Sequence, residues 1–175
     1  GVAPTDPRES ALVETLNAGA YTAIVSGAGG SSGVALVEVY DLDARPRVSR
    51  LANIATRGAV QSGDNVLIAG FILNQGPEQI VARATGPSLA NAGVAGTLAD
   101  PSLELHDAQG ALVMANDNWQ QDSFQALQIQ TVGLAPANPL ESALTSTLAP
   151  AAYTLIMRGA HATTGIGLVE VYDVR

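Results

Sequence analysis

GVALVEVYD at residues 33–41 and GIGLVEVYD at residues 165–173 are two copies of one stretch, and this stretch decides the fold. Each copy opens with Gly, closes with Asp and carries one Glu inside a run of apolar and β-branched residues. Both alternating faces are apolar: in the first copy Val34 and Leu36 lie on one face and Val37 on the other. Such a run favours a strand that is covered on both sides. A stretch of nine residues is too short to span a membrane.

The two copies belong to a longer internal repeat. Residues 1–41 align with residues 133–173 without a gap, at an offset of 132, and more than half of the positions are identical. We therefore predict a complete repeat unit at residues 51–175 and the C-terminal third of a preceding unit at residues 1–41, which we call the N-terminal segment. Residues 42–50 form a linker with Pro and Arg. Two or three strands without a facing sheet are marginal, so the N-terminal segment is expected to need a partner sheet.

Short β-rich stretches separated by turn residues fill most of the chain, which predicts an all-β fold: an antiparallel, jelly-roll-like β-sandwich. DAQG at residues 107–110 predicts a hairpin with Gly110 in the left-handed position. Residues 86–99 fit a helical turn within a loop, and residues 119–131 fit either a short helix or an irregular strand. The predicted strands are residues 10–16, 20–26 and 33–41 in the N-terminal segment, and residues 51–57, 64–72, 78–85, 102–106, 111–115, 142–148, 152–158 and 165–173 in the complete unit.

The composition excludes several classes of chemistry. There is no Lys and no Cys, which removes Schiff-base, Walker-type phosphate-binding, disulfide and thiolate chemistry. The formal charge of −8 argues against a nucleic-acid partner, which requires clustered basic residues. No Gly-x-Ser-x-Gly elbow or phosphate-binding loop is present, and neither His106 nor His161 stands in a motif that places a base beside a nucleophile. We therefore predict a protein that is not an enzyme.

A group of oxygen-bearing side chains is the candidate metal site. Oxygen ligands that lie close together on loops suit Ca²⁺, although the spacing is not that of an EF-hand. The alternative is a set of Asx turns, because Asn and Asp bond their own backbone, and this reading is favoured. The five candidate calcium ligands are Asp107, Asn116, Asp117, Asn118 and Asp122.

Five other side chains stand out in the repeat and beside the acidic group. Trp119 is the only Trp, and we expect it to anchor the core rather than to form a stacking platform for a sugar ring. Tyr21 and Tyr153 occupy matching strand entries, and each is expected to be a corner tyrosine whose hydroxyl binds nearby backbone and whose ring lies in the core. Glu38 and Glu170 lie inside apolar strands, so each is expected to pair with an Arg, such as Arg158 or an interdomain Arg, the alternative being a place at the rim of the sandwich.

Residues 101–173 carry the pattern of a known family. PSLELHDAQGALVMANDNW, followed by ESALTSTLAPAAYTLIMRGA and a Gly-opened last strand, resembles the bacterial pre-peptidase C-terminal domain. The match includes LNAGAYT at residues 16–22, while LAPAAYT at residues 148–154 has Ala where that family usually has Gly. The resemblance implies a β-sandwich appended to secreted bacterial proteases and other exoenzymes. It implies an extracellular or cell-surface location, and calcium binding by acidic loops in some relatives.

Two functional hypotheses follow. In the first, the protein is a non-enzymatic structural or interaction module that assembles head-to-tail into a secreted fibre or matrix, with the N-terminal segment pairing with a neighbouring subunit or repeat. Packing of the N-terminal segment against the complete unit of its own chain is an alternative that the sequence leaves open. In the second, it is an accessory module of an exoenzyme that binds Ca²⁺ or carbohydrate. The candidate interface residues are apolar or aromatic side chains of the N-terminal segment, namely Tyr21, Ile24, Val34, Leu36, Val37 and Val39.

Overall fold

The computed structural model describes residues 2–42, 51–74 and 76–174. The chain divides into two units, Gly1–Leu51 and Ala52–Arg175. Apart from residue 42, the linker predicted at residues 42–50 lies outside the described residues. None of the helices in the described part of the chain is long and apolar enough to cross a bilayer.

Two four-stranded antiparallel sheets form the C-terminal unit, with strand orders β1-β8-β3-β6 and β2-β7-β4-β5. Together they make the β-sandwich that the sequence predicts, and each of its predicted strands is present to within three residues at either end. The strands are β1 Asn53–Val60, β2 Leu67–Ile72, β3 Glu78–Thr85, β4 Pro101–His106, β5 Leu112–Asn116, β6 Ser142–Leu148, β7 Ala152–Gly159 and β8 Gly165–Asp173.

The core lies between the two sheets and follows the alternation of the strands. Leu103 and Leu105 of β4 are fully buried, as are Leu155 and Met157 of β7, and they pack with Val169 of β8 from the facing sheet. Side chains at every second position of a strand share one face, so each sheet contributes one apolar side to this layer. The interior is therefore built from aliphatic side chains with very little aromatic content.

A second apolar layer covers the outer face of the β1-β8-β3-β6 sheet. The helix α1 (Ser123–Thr131) lies over this face, and its Ile129 packs with Trp119, Val81 and Ala143. The ambiguous stretch at residues 119–131 thus contains a helix, and Trp119 is a buried core residue as expected. The two inner strands of this sheet, β8 among them, are consequently covered on both sides, which explains why the stretch at residues 165–173 lacks a polar face.

The remaining local predictions for this unit are also confirmed. The hairpin at residues 107–110 joins β4 to β5, and Gly110 has a φ of 79°. A 3-10 helix, Pro87–Ala92, forms within the loop predicted at residues 86–99.

The N-terminal segment differs from its prediction. Residues 2–42 contain one 3-10 turn, Ala28–Gly30, and no strand, although residues 10–16, 20–26 and 33–41 were predicted as strands. Every described residue of the segment except Asp6 is exposed. A β-strand needs a neighbour for its backbone hydrogen bonds, and none is present there. Sequence pattern predicts the propensity of such a stretch, but pairing depends on what lies beside it.

Candidate functional site

The N-terminal segment shares two turns with residues 133–173 although its described residues contain no strand. The hydroxyl of Tyr21 donates a hydrogen bond to the Asn17 carbonyl at 2.9 Å, and that of Tyr153 donates to the Ala149 carbonyl at 3.0 Å. Both hydroxyls therefore make the predicted corner hydrogen bond, but the prediction that the ring lies in the core is confirmed only for Tyr153. The ring of Tyr153 is buried and stacks on Phe71 at 5.5 Å, whereas the ring of Tyr21 is exposed.

The following turn also recurs in both copies. The Ser31 amide donates to the Ala28 carbonyl at 3.2 Å, and the Thr163 amide donates to the Ala160 carbonyl at 3.1 Å. The centre of this turn is left-handed in both copies, with a φ of 63° at Gly29 in the first and 54° at the corresponding residue in the second. The segment thus has the turns of the complete unit before any sheet is formed.

The two copies differ in how far their matching apolar side chains are buried. Leu12 is 82% exposed, while its counterpart Leu144 is fully buried. Val37 is half exposed, while its counterpart Val169 is fully buried. All six candidate interface residues are exposed, namely Tyr21, Ile24, Val34, Leu36, Val37 and Val39. A contiguous stretch of apolar side chains in water is typical of a surface that binds a partner.

A charged network on β8 surrounds the carboxylate of Glu170, which is the counterpart of Glu38 in the N-terminal segment. Glu170 accepts two hydrogen bonds from Arg83 of β3, at 3.0 and 2.6 Å, and one from the Tyr172 hydroxyl at 2.6 Å. Arg83 also donates to the Tyr172 oxygen at 2.8 Å and lies over that ring. The Arg partner expected for Glu170 is therefore present, but it is Arg83; Arg158 instead donates to the Gly63 carbonyl at 3.0 Å.

The first copy has the same Glu–Tyr hydrogen bond, and no arginine contacts it within the described part of the chain. The Tyr40 hydroxyl donates to the Glu38 carboxylate at 2.9 Å, as Tyr172 does to Glu170. This hydrogen bond raises the pKa of Tyr40. Burial, followed by the hydrogen bond to Glu170, raises the pKa of Tyr172 to about 12. The Glu38–Tyr40 pair thus repeats the hydrogen bond of the pair that binds Arg83 in the second copy.

Glu141 is a second anchor, and it was not singled out from the sequence. Its carboxylate is fully buried and accepts hydrogen bonds from the Gly86 amide at 3.1 Å, from the Ser88 amide at 2.9 Å and from the Ser88 hydroxyl. It also accepts one from the Asn138 amide at 3.3 Å. Its counterpart Glu9 is exposed. The identity of these two acids in the repeat was the signal that could have identified them.

The acidic candidates for calcium are spread over the unit. Asp107 closes the β4–β5 hairpin by accepting the amides of Gln109 and Ala111 at 2.9 and 2.8 Å. Asp122 caps α1 by accepting the amides of Phe124 and Gln125. The strand β5 separates Asp107 from Asn116 by about 15 Å, at roughly 3.3 Å per residue. These two aspartates therefore act as the Asx-type caps that the alternative reading expects.

Asn116, Asp117 and Asn118 do lie together, at the end of β5. The Asn116 side-chain oxygen accepts from the Ser142 hydroxyl and the Ala143 amide, both at 3.0 Å, so it is already used. The Oδ1 atoms of Asp117 and Asn118 are buried without a hydrogen-bond partner. This group borders a shallow groove of about 340 Å³. No cluster of three or more His, Asp or Glu side chains able to hold a metal occurs within residues 2–42, 51–74 and 76–174.

The two histidines lie at opposite ends of the β4–β7 pair. His106 contacts the Glu104 carboxylate at 3.0 Å and the Gly110 carbonyl at 3.1 Å, and these bonds raise its pKa, with the Glu104 hydrogen bond as the larger cause. His161 lies at the exposed turn after β7. Both ring nitrogens of His106 are thus engaged by an acid and a backbone carbonyl rather than by a hydroxyl group.

Comparison with known proteins finds matches among solved structures. No protein-family model matches the chain, and no curated protein is similar to it in sequence. Among solved structures, the pre-peptidase C-terminal domain of a collagenase from Bacillus anthracis is similar at 13% identity and a TM-score of 0.43. The match covers 68% of this chain and 88% of that one, and it falls in the family that the motifs at residues 101–173 resemble. Proteins this distant share at most a fold.

Proposed function

We propose that the protein is a non-enzymatic interaction module of a secreted bacterial protein, in which the N-terminal segment completes a β-sandwich with a protein partner. In this proposal residues 51–175 are a self-sufficient repeat unit and residues 42–50 link it to the segment. The extracellular location is motivated by the family that the sequence motifs resemble. The absence of any nucleophile–base motif from the sequence motivates the non-enzymatic role.

One observation carries the proposal. The N-terminal segment has the turns and corner tyrosine of residues 133–173, yet its apolar side chains are in water where their counterparts are in a core. Burying a side chain such as Leu12 contributes roughly 1.5–3 kcal/mol. Several such residues in one segment provide a large driving force for adding strands to another sheet.

Removing residues 1–41 tests this proposal. The shortened chain is expected to unfold at the same temperature as the full chain, because the core of Ala52–Arg175 contains no residue of the segment. The full chain should also bind a hydrophobic dye that the shortened chain does not. A clear loss of thermal stability on truncation would mean that the segment serves its own unit, and it would contradict the proposal.

Head-to-tail assembly of copies into a fibre is the narrower form of this proposal. It requires the segment of one chain to pair with the unit of the next. Light scattering should then give a mass that rises with concentration for the full chain and stays monomeric for the shortened one. A monomer at every concentration for both chains would exclude this narrower form while leaving other partners open.

A calcium-dependent accessory role is the second candidate, favoured by the two unpartnered oxygens on Asp117 and Asn118. Ca²⁺ takes roughly six to eight oxygen ligands, so backbone carbonyls or water would complete the set. Calcium titration by calorimetry should give heat that Asp117→Asn removes and Asp107→Asn, at the distant hairpin, retains. No heat with the unmodified chain would remove this candidate. Carbohydrate binding has no comparable support, since Trp119 is buried.

A further inference from the structure

We propose that the partner of the N-terminal segment is an unfilled acceptor of the same repeat type, whose β3-like strand carries an Arg followed by a Gly-x-Ser loop. By acceptor we mean strands equivalent to β1–β5, which in this chain are residues 52–132. The spacing required is that of Arg83, Gly86 and Ser88. This inference rests on the proposed function, since it specifies the partner that the segment completes.

The polar anchors of the segment supply the first reason. Within residues 2–42, 51–74 and 76–174, no arginine binds the Glu38–Tyr40 pair as Arg83 binds the pair in the second copy. In the same described residues, Glu9 has no counterpart of the loop amides and hydroxyl that Gly86 and Ser88 provide to Glu141. Both missing partners fall within six consecutive residues of one strand and its loop. Buried carboxylates need such partners, so they select an acceptor by its chemistry as well as by its apolar surface.

A glycine supplies the second reason. A Cβ on Gly165 would lie 2.6 Å from the Leu98 amide nitrogen and 2.7 Å from the Thr97 carbonyl carbon, so that backbone approaches β8 too closely for a side chain. Its counterpart Gly33 has no atom within 4 Å of the same position and no positive φ that would require glycine. Glycine at residue 33 is explained if the partner brings a loop equivalent to residues 96–98 to the same place.

A matched pair of core residues supplies the third reason. A Cβ on Gly167 would lie 2.7 Å from the Met157 sulfur, so the end of the Met157 side chain would have to shift to admit one. In the N-terminal segment both positions change together, to Ala35 and Val25. The shorter side chain leaves room for the added methyl group. A smaller side chain at one position matched by a larger one at the other is expected where β7-like and β8-like strands face each other across a packed core.

The acceptor formed by residues 52–132 is already filled by β6, β7 and β8. Head-to-tail assembly of copies would therefore require an N-terminal segment to displace residues 133–173 from the acceptor that it enters. An acceptor that is not filled by its own last strands is therefore the partner that fits.

A tandem chain tests this inference with the whole protein. Gly1 aligns with Gly133, so a second copy of residues 52–132 joined directly ahead of Gly1 restores the natural connection from residue 132. Amide hydrogen exchange within residues 20–26 and 33–41 should slow by more than about a hundredfold relative to the original chain. If these amides still exchange freely, the inference is overturned, while the proposed function, which specifies no acceptor type, is decided by the truncation of residues 1–41.

Substitutions in the added copy separate the inference from the proposed function. Arg83→Gln there should abolish the protection of residues 33–41, because Glu38 would be buried without a cation. Arg57→Gln in the same copy is the matched control, since Arg57 is exposed, and it should leave protection unchanged. The amides of β8 report in each sample that the second unit is intact.

Neutralising both charged partners distinguishes the loss of a specific ion pair from general destabilisation. Arg83→Gln in the added copy combined with Glu38→Gln should recover at least about tenfold of the lost protection, because no unpaired charge remains. Failure to recover it would overturn the inference. Protection that is insensitive to Arg83→Gln would also overturn the inference, but it would leave the proposed function in place.

Discussion

Replacing Gly167 by Ala should destabilise the C-terminal unit, and shortening Met157 should reverse the effect. The new Cβ would lie 2.7 Å from the Met157 sulfur and 3.2 Å from Val60 Cγ2, in a region where both neighbours are buried. Overpacking of this kind costs about 1–3 kcal/mol. Met157 is flexible enough to yield in part, so we expect a cost of about 1–2 kcal/mol for Gly167→Ala.

Met157→Val and the double variant that combines it with Gly167→Ala complete a double-mutant cycle. Met157→Val alone should cost about 1 kcal/mol, since it removes buried atoms and leaves a small cavity. The double variant reproduces the combination that Val25 and Ala35 have in the N-terminal segment. It should be within about 1 kcal/mol of the original protein, which gives a favourable coupling of about 1–2 kcal/mol.

Urea unfolding followed by fluorescence measures this coupling in one unit. Trp119 is the only Trp and is buried on the outer layer of the β1-β8-β3-β6 sheet, so its emission reports the C-terminal unit alone. The midpoint should fall for each single variant and recover in the double variant. Strictly additive losses would refute the reasoning that the two copies are alternative packings of one core.

Three further predictions concern the same unit. Ala162 has a φ of 61° where the N-terminal segment has Gly30, so Ala162→Gly should raise the free energy of unfolding by about 0.5–1 kcal/mol, measured by urea denaturation; no gain would mean that the turn is unstrained. Asp122→Ala should cost about 1 kcal/mol because it removes the cap of α1, and thermal melts should show the same loss with and without calcium; a loss seen only with calcium would instead make Asp122 a ligand. The raised pKa of His106 predicts stabilisation that is fully present below the unfolded-state pKa of about 6.5 and is lost as pH rises through the higher folded-state value. Because the pair with Glu104 is partly exposed, the effect should stay below about 1 kcal/mol and should disappear in Glu104→Gln, which urea melts across this pH range would detect; an unchanged pH dependence in that variant would assign it to other groups.

The complete unit could be predicted closely because its signals are local. The β8 stretch has apolar residues on both faces, which predicts a covered strand, and the Asp-x-x-Gly hairpin at residues 107–110 fixes the junction of β4 and β5. The helix α1 was left open because its apolar residues are few, although Asp122 ahead of it is a recognisable cap.

The sequence predicts that a carboxylate such as Glu170 has an Arg partner, but it does not predict which Arg this is. A carboxylate within an apolar strand requires a partner, which correctly implied an arginine for Glu170. The arginine is 87 residues away, on a strand that becomes its neighbour only through the order β1-β8-β3-β6. Glu141 likewise binds a loop more than fifty residues distant. Such pairings depend on topology, which a single sequence specifies only indirectly.

The five candidate calcium ligands lie closer together in the sequence than they do in the structure. Asp107 and Asn116 flank β5, and an extended strand keeps its two ends apart. The two aspartates at residues 107 and 122 instead cap a hairpin and a helix, which are the roles that this residue type fills most often near chain turns. Among the five candidate ligands, all of which lie in the described part of the chain, Asp117 and Asn118 are the two with a buried oxygen that has no hydrogen-bond partner.

Amide hydrogen exchange of the intact chain at monomeric concentration tests the central claim most directly. The claim predicts free exchange throughout residues 33–41, together with slow exchange, limited by unfolding of the whole unit, in Gly165–Asp173. The two stretches differ only in Val34 and Ala35 against Ile166 and Gly167, so this is an internal comparison. Slow exchange of residues 33–41 in a verified monomer would mean that the segment already has its sheet, and it would contradict the account.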